Sequence, residues 1–161
     1  MKIIYTFLVL ALSCVVGYTG EINRKTFSMS LPQNWTEDTK DDMHDPDSFI
    51  FFENPESCLF TVIIGKKSAG ASVDDLLKAQ KEEWQKKFTD MKSVKITKWS
   101  NYEGKGVEIE GKILGIARSR ARLFAFEKGD NVCFIAEYAT IGDLKTFAGD
   151  FAKIRQTFKL K

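Results

Sequence analysis

Cys58-Leu59-Phe60-Thr61-Val62-Ile63-Ile64 is an almost unbroken apolar run, interrupted only by one threonine. A short apolar run bounded by turn residues reads as a strand buried on both faces. Asn54-Pro55-Glu56-Ser57 before it and Gly65 after it supply that punctuation. Such a strand needs packed layers on both sides of its sheet. Two amphipathic segments can provide them. In the first, Ser72 is a good N-cap with Asp75 three residues on, a variant of the capping box. Val73, Leu76, Leu77, Gln80, Trp84 and Phe88 then recur at helical spacing. In the second, Asp143 is the expected N-cap, and Leu144, Phe147, Phe151, Ile154 and Phe158 form a clear apolar stripe.

The remaining strands follow from alternation and turn chemistry. Residues 25–30 and 48–53 come before the buried run. Residues 94–99, 105–113, 117–127 and 132–139 form a meander after the first helix. The order β-β-β-α-β-β-β-β-α places the chain in the α+β class. It predicts an antiparallel sheet of six to seven strands flanked by helices, an α/β/α sandwich.

One register is legible in advance. If Leu114-Gly115-Ile116 is a three-residue loop, Glu108 faces Arg122, Glu110 faces Arg120 and Lys112 faces Arg118. The opposite face then pairs Val107, Ile109 and Ile113 with Leu123, Ala121 and Ala117. A two-residue loop would mix charged and apolar groups on both faces, and register follows the hydrophobic pattern. The arginine row is an anion or acidic-peptide site if its guanidinium groups are free. The three-residue register instead pairs them internally and leaves Arg118 without an acid.

The N-terminus bears on localisation. Lys2 precedes an apolar run from residue 3 to residue 16, too short to span a bilayer as a helix. It has the size of a signal-peptide core, with the cut expected before Tyr18. Ala11-Leu12-Ser13-Cys14 is a poor lipobox, so membrane attachment is expected only if Cys14 is lipidated. Residues 1–17 are therefore read as a signal peptide and 18–161 as a single domain. The protein is expected to be exported, periplasmic or secreted. Its hydrophobic content of 43% and charged content of 29% are those of a globular chain. A formal charge of +2 gives no reason to expect a nucleic-acid partner.

At this point a resemblance enters. Phe27-Ser28-Met29-Ser30-Leu31-Pro32-Gln33-Asn34-Trp35 resembles the F-x-hydrophobic-x-L-P-x-x-W opening of PsbP-like domains. That family includes the PsbP subunit of photosystem II, the Mog Ran-binding protein and DcrB-like exported bacterial lipoproteins. The strand ending at Gly65, the following helix, the meander and the terminal Phe151-x-x-Ile154-x-x-x-Phe158-Lys159 are also similar. The resemblance implies an α/β/α sandwich around an antiparallel sheet. It also implies binding, assembly or accessory work rather than catalysis.

The chemical candidates are few. His44, the only histidine, stands beside Asp42 and Asp45 and is expected to be a solvated loop residue. No G-x-S-x-G elbow accompanies it. Asp38, Asp41, Asp42, Asp45 and Asp47 are either a Ca²⁺-attracting loop or a solvated acidic loop. Their spacing matches no EF-hand. No tetrahedral zinc set is recognisable, so neither metal nor cofactor is expected. Cys58 and Cys133 are either a disulfide, which an exported compartment permits, or two buried thiols. Asn34-Trp35-Thr36 is a glycosylation sequon, relevant only in a eukaryotic source, and Trp35 is expected to plug the core. The expected function is that of an exported non-enzymatic accessory or binding protein of the cell envelope. Its partner, a protein or envelope component, is expected near Arg118, at Asp41 and Asp42, or along a sheet edge. A small-ligand or metal-binding domain is the alternative, and an envelope enzyme comes last.

Overall fold

The buried run is the strand β5 (Leu59–Lys66), and it lies beside β9 (Asn131–Thr140) at the middle of a seven-stranded antiparallel sheet. The computed structural model describes residues 18–55 and 58–161. Strand order is β3-β4-β5-β9-β8-β7-β6, with β3 (Thr36–Asp38), β4 (Phe49–Glu53), β6 (Phe88–Trp99), β7 (Tyr102–Ile113) and β8 (Ala117–Lys128). A second, three-stranded sheet joins β1 (Tyr18–Asn23), β2 (Phe27–Pro32) and β10 (Lys159–Leu160) in the order β1-β2-β10. Six of the predicted strands and the two flanking helices form the predicted sandwich, with β3, in a stretch expected as loop, as the seventh strand. The strand expected over residues 25–30 is β2, and it lies not in the large sheet but in the small one, where β1 and β10, neither expected, flank it. The signal-peptide and Cys14 expectations fall outside the described residues. Among those residues, no helix is long and apolar enough to cross a membrane.

Alternation along β9 divides the core in two. Phe134, Ala136 and Tyr138 face the helix α1 (Val73–Lys87), where Val107, Ile109, Ala121 and Leu123 join them. Cys133, Ile135 and Ala139 face the helix α2 (Ile141–Thr157), where Phe124, Phe126, Trp99 and Phe60 join them. The small sheet extends this second layer, because Phe27, Met29, Leu31 and Leu160 belong to the same buried cluster.

Both helices start by the same device. Ser72 Oγ accepts from the Asp75 N–H at 3.1 Å, as the capping box predicts, while the Asp75 carboxylate accepts from the Ser72 hydroxyl at 2.6 Å rather than from its backbone N–H. For α2 the cap is Thr140, which accepts from the Asp143 N–H at 3.3 Å. Asp143 is thus the acid of a second capping box, not the N-cap, and the helix starts three residues earlier than Asp143 suggested. Phe88 also differs from expectation. It caps the end of α1 and begins β6, yet stays buried at 5% exposure. A change from helix to strand at that point still turns its side chain into the α1-side core, so the apolar spacing alone concealed the boundary.

The register predicted for the β7–β8 hairpin is the one observed, from Ile113↔Ala117 through Val107↔Leu123. Residues 114–116 form the loop, with Leu114 at φ 48° and Gly115 at φ 73°. Trp35 is buried, as expected. Its indole N–H donates to Asp150 at 2.8 Å and its ring meets Phe151 edge-on at 5.5 Å.

Candidate functional site

On the α2 side, the sheet face is apolar at one end and charged at the other. Phe124 and Phe126 on β8 give way along the same face to Arg122, Arg120 and Arg118. β7 supplies Glu108 and Glu110 opposite them. Arg122 donates to Glu108 through Nε at 3.1 Å and Nη2 at 2.6 Å. Arg120 Nη2 donates to Glu110 at 3.1 Å, and its Nε stands 3.5 Å from Glu108. The row is internally paired as the register requires. Arg118 departs from expectation: it is not left without an acid. Lys112 is directly opposite, but Arg118 Nη2 reaches the diagonal neighbour Glu110 at 2.9 Å. Long side chains bridge such diagonals. Hydrogen bonding from Arg120, with the charges of Arg120 and Arg118, holds the Glu110 carboxyl below its ordinary value.

Glu137 of β9 is the group that sequence reading missed. Its side chain is only 6% exposed and faces α2. Arg155 of α2 grips it in a fork, Nε to Oε1 at 2.7 Å and Nη2 to Oε2 at 2.6 Å. The Trp99 indole N–H adds a third bond to Oε1 at 2.7 Å, and Arg122 Nη1 stands 3.7 Å from Oε2. Burial works against the charge of Arg155, but the hydrogen bond and charge of Glu137 outweigh it and raise the Arg155 pKa. A bidentate fork in a desolvated setting is a strong arrangement. The only sequence signal was a glutamate inside the apolar strand 132–139.

A cleft of about 160 Å³ opens beside this cluster, where Leu144, Ala148 and Phe151 of α2 meet Arg120, Arg122 and Glu137. It lies below the ~300–1,000 Å³ usual for small-molecule sites. Its charged groups are already paired with one another, although the buried Arg120 Nε makes no hydrogen bond among the described residues. The arrangement is better suited to locking α2 on the sheet than to receiving a ligand.

His44 is not solvated, contrary to expectation. Its Nε2 lies 2.7 Å from Glu37 Oε1, and both side chains are about 15% exposed, at 15% and 14%. Arg24 binds the other oxygen of Glu37. The cluster ties the β1–β2 turn to β3 and the loop after it. Among the described residues, no three His, Cys, Asp or Glu side chains converge on one metal position. The acidic loop explains itself by local turns. Asp38, Asp41 and Asp45 each accept from the backbone N–H two residues on, at 2.9, 2.8 and 2.9 Å. Asp41 is therefore a turn-former, half-buried, and Asp42 alone of the tentative pair is exposed. The loop borders β3, four strands away from β8, so the structure does not bring Asp41 and Asp42 together with Arg118.

The candidate disulfide between Cys58 and Cys133 is not formed. Antiparallel pairing sets Cys133 opposite Ile64 and Leu59 opposite Tyr138. Cys58, preceding Leu59, therefore lies about 20 Å along the strand from Cys133 at ~3.3 Å per residue. A bridge needs Cα atoms within ~7 Å. Both side chains are buried in the α2-side core, and burial pushes the Cys133 thiol pKa well up.

No protein-family model and no curated protein matches the chain significantly. Solved structures do. LpqN of Mycobacterium tuberculosis, described as involved in cell envelope biogenesis, is similar over 84% of this chain and 83% of its own, with a TM-score of 0.52 and 10% identity. A Mog1 variant is similar over 84% of this chain and 90% of its own, with a TM-score of 0.50 and 8% identity. The fold is that of the PsbP-like proteins. A protein from Bacteroides thetaiotaomicron is also similar, with a TM-score of 0.50 and 14% identity over 84% of this chain. This chain spans 45% of that protein's length.

Proposed function

We propose that the protein is an exported, non-enzymatic accessory protein that binds a protein or envelope component through one side of its sheet. One observation carries this reading. Of the five large apolar side chains strongly exposed among the described residues, two lie together at the tip of the β7–β8 hairpin and two lie along the adjoining β6, where Val94 stands opposite Glu108, about 20 Å along the strand from the tip. These are Met91, Val94, Leu114 and Ile116, exposed by 45%, 65%, 73% and 84%. The Leu114 N–H donates to the Lys87 carbonyl at 2.8 Å, which ties the hairpin tip to the start of β6. Arg118, with its side chain 68% exposed, stands beside the tip. Leu114 and Ile116 exposed side by side at the tip next to this charge mark an interaction surface, whereas singly scattered apolar groups do not. Leu114 also holds a left-handed backbone at φ 48°, an unfavourable conformation for a leucine. The envelope role of LpqN is compatible with the reading, as is the mutual pairing of the charged groups in the cleft.

The test is photo-crosslinking in the native envelope from a probe at position 116. A specific partner should be captured. With the same probe at position 116, the combined variant Leu114→Ser, Arg118→Glu should lose most of that capture while its Tm stays within a few degrees of the parent, as exposed substitutions generally do. Undiminished capture by a folded variant would overturn the surface assignment.

A further inference from the structure

β6 closes the large sheet on one side, and no strand among the described residues pairs with its outer edge. An open edge presents unpaired N–H and C=O groups to any extended chain. Ten of the twelve β6 residues are not buried, the exceptions being Phe88 and Trp99 at its ends. The sheet's other edge, β3, has only three residues. Register shifts at Thr89/Lys92 and Ile96/Lys98 bracket a regular stretch. Between them, residues 92–96 pair without a break with residues 106–110. Such a five-residue stretch spans about 16 Å, enough to template a short strand.

From residue 92 to the end of β6 the charged residues are all basic, whereas Asp90 at its irregular start is paired with Lys112. Lys92, Lys95 and Lys98 make no ion pair among the described residues. The nearby pairs use Lys86, Lys105 and Lys112 instead. On the α1 side, a groove of about 490 Å³ runs between α1 and β6, with Leu77 and Val107 as apolar walls and Lys81 and Lys95 as cations. On the other face stands Val94, 65% exposed.

We infer that β6 accepts an extended acidic segment of a partner protein as an eighth strand. The backbone of residues 92–96 supplies the hydrogen bonds. Acidic side chains at alternate positions of the guest face Lys81 and Lys95 in the groove, and its apolar side chains lie beside Val94. The inference rests on the accessory-protein reading and adds to it the chemistry of the partner. Lysines on an edge also discourage unwanted pairing of neutral strands. A guest carrying the opposite charge turns the same lysines into a selection device.

The probe is a capped seven-residue peptide alternating glutamate with valine or threonine, added to the full chain. Two controls share its length: one N-methylated at alternate residues, the other with lysine in place of glutamate. Fluorescence anisotropy reads affinity, and amide hydrogen exchange reads the site. The acidic peptide should bind and slow exchange within residues 92–96. Both controls should bind at least roughly tenfold more weakly, since one loses the backbone bonds and the other the charge match. The variant Lys92→Glu, Lys95→Glu, Lys98→Glu should weaken the acidic peptide by at least about tenfold and add rising salt dependence to the comparison. Strand addition is overturned if the acidic peptide fails to bind by about 1 mM, if N-methylation leaves affinity unchanged, or if protection falls outside β6. If peptide binding fails while crosslinking at position 116 still captures a partner, strand addition falls and the accessory role stands. If the peptide binds but no partner is captured, the accessory role falls and the edge site stands.

Discussion

Removing Arg155 would leave the Glu137 carboxylate on the central strand, 6% exposed, with only Trp99 and the more distant Arg122 to offset its desolvation. A hydrogen bond to a buried charge contributes about 1.5–3 kcal/mol, and an unsatisfied partner costs at least as much. Arg155→Met should therefore destabilise the protein by about 2–3 kcal/mol in urea unfolding. Glu137→Gln in the same background should add less than it does alone, because the two side chains act as one unit. Strict additivity of the pair would show that the fork contributes nothing beyond packing. Residue-level chemistry was unevenly legible. The pairing of Glu108 with Arg122 and Glu110 with Arg120 followed from sorting charged and apolar groups onto separate faces. The diagonal reach of Arg118 to Glu110 depends on side-chain rotamers, which no register fixes. The contact of His44 with Glu37 depends on how a loop folds back on β3, and loops carry no periodic signal.

At the scale of elements, what was legible was what repeats. The stripe predicted the buried face of α2: Phe151 and Ile154 are buried within the helix, and Phe158 is buried just past its end. Phe151 is 2% exposed and packs edge-on against Trp35. Phe151→Ala should cost about 3–5 kcal/mol, the range for emptying a phenylalanine site in a packed core. A thermal or urea midpoint equal to the parent would mean the helix is not anchored there. Short elements were not legible. β3 has three residues and β10 two, too few for an alternation to register. β10 exists because tertiary bonds hold it: Lys128 donates to the Leu160 carbonyl at 2.7 Å and Asn131 to the Lys161 carbonyl at 2.7 Å. β6 was expected over residues 94–99 but begins at Phe88, because its first half is an irregular, exposed edge with no face to bury.

For the molecule as a whole, the layers settle which surfaces are open. α1 covers one face of the sheet, and α2 with the small sheet covers the other. The openings that remain are the two edges. β3 is blunted by its length. β6 is twelve residues long and relies on its two register shifts and on Lys92, Lys95 and Lys98. Natural sheets use both devices against edge-to-edge association. The bulges bend the ends of the edge, so the regular stretch between them depends on charge. Replacing Lys92, Lys95 and Lys98 together by threonine keeps good strand propensity and removes three charges from one line. Two such edges could then approach without repulsion, beside the exposed Val94 and Met91. The triple variant should fold with an unchanged circular dichroism spectrum. Its weight-average mass in sedimentation should rise above the parent's as concentration increases. Parent protein in high salt should move in the same direction but less far, because screening weakens repulsion between exposed charges without removing it. A variant whose mass matches the parent at every concentration would show that the bulges alone guard the edge. The lysines would then be left with partner selection as their role.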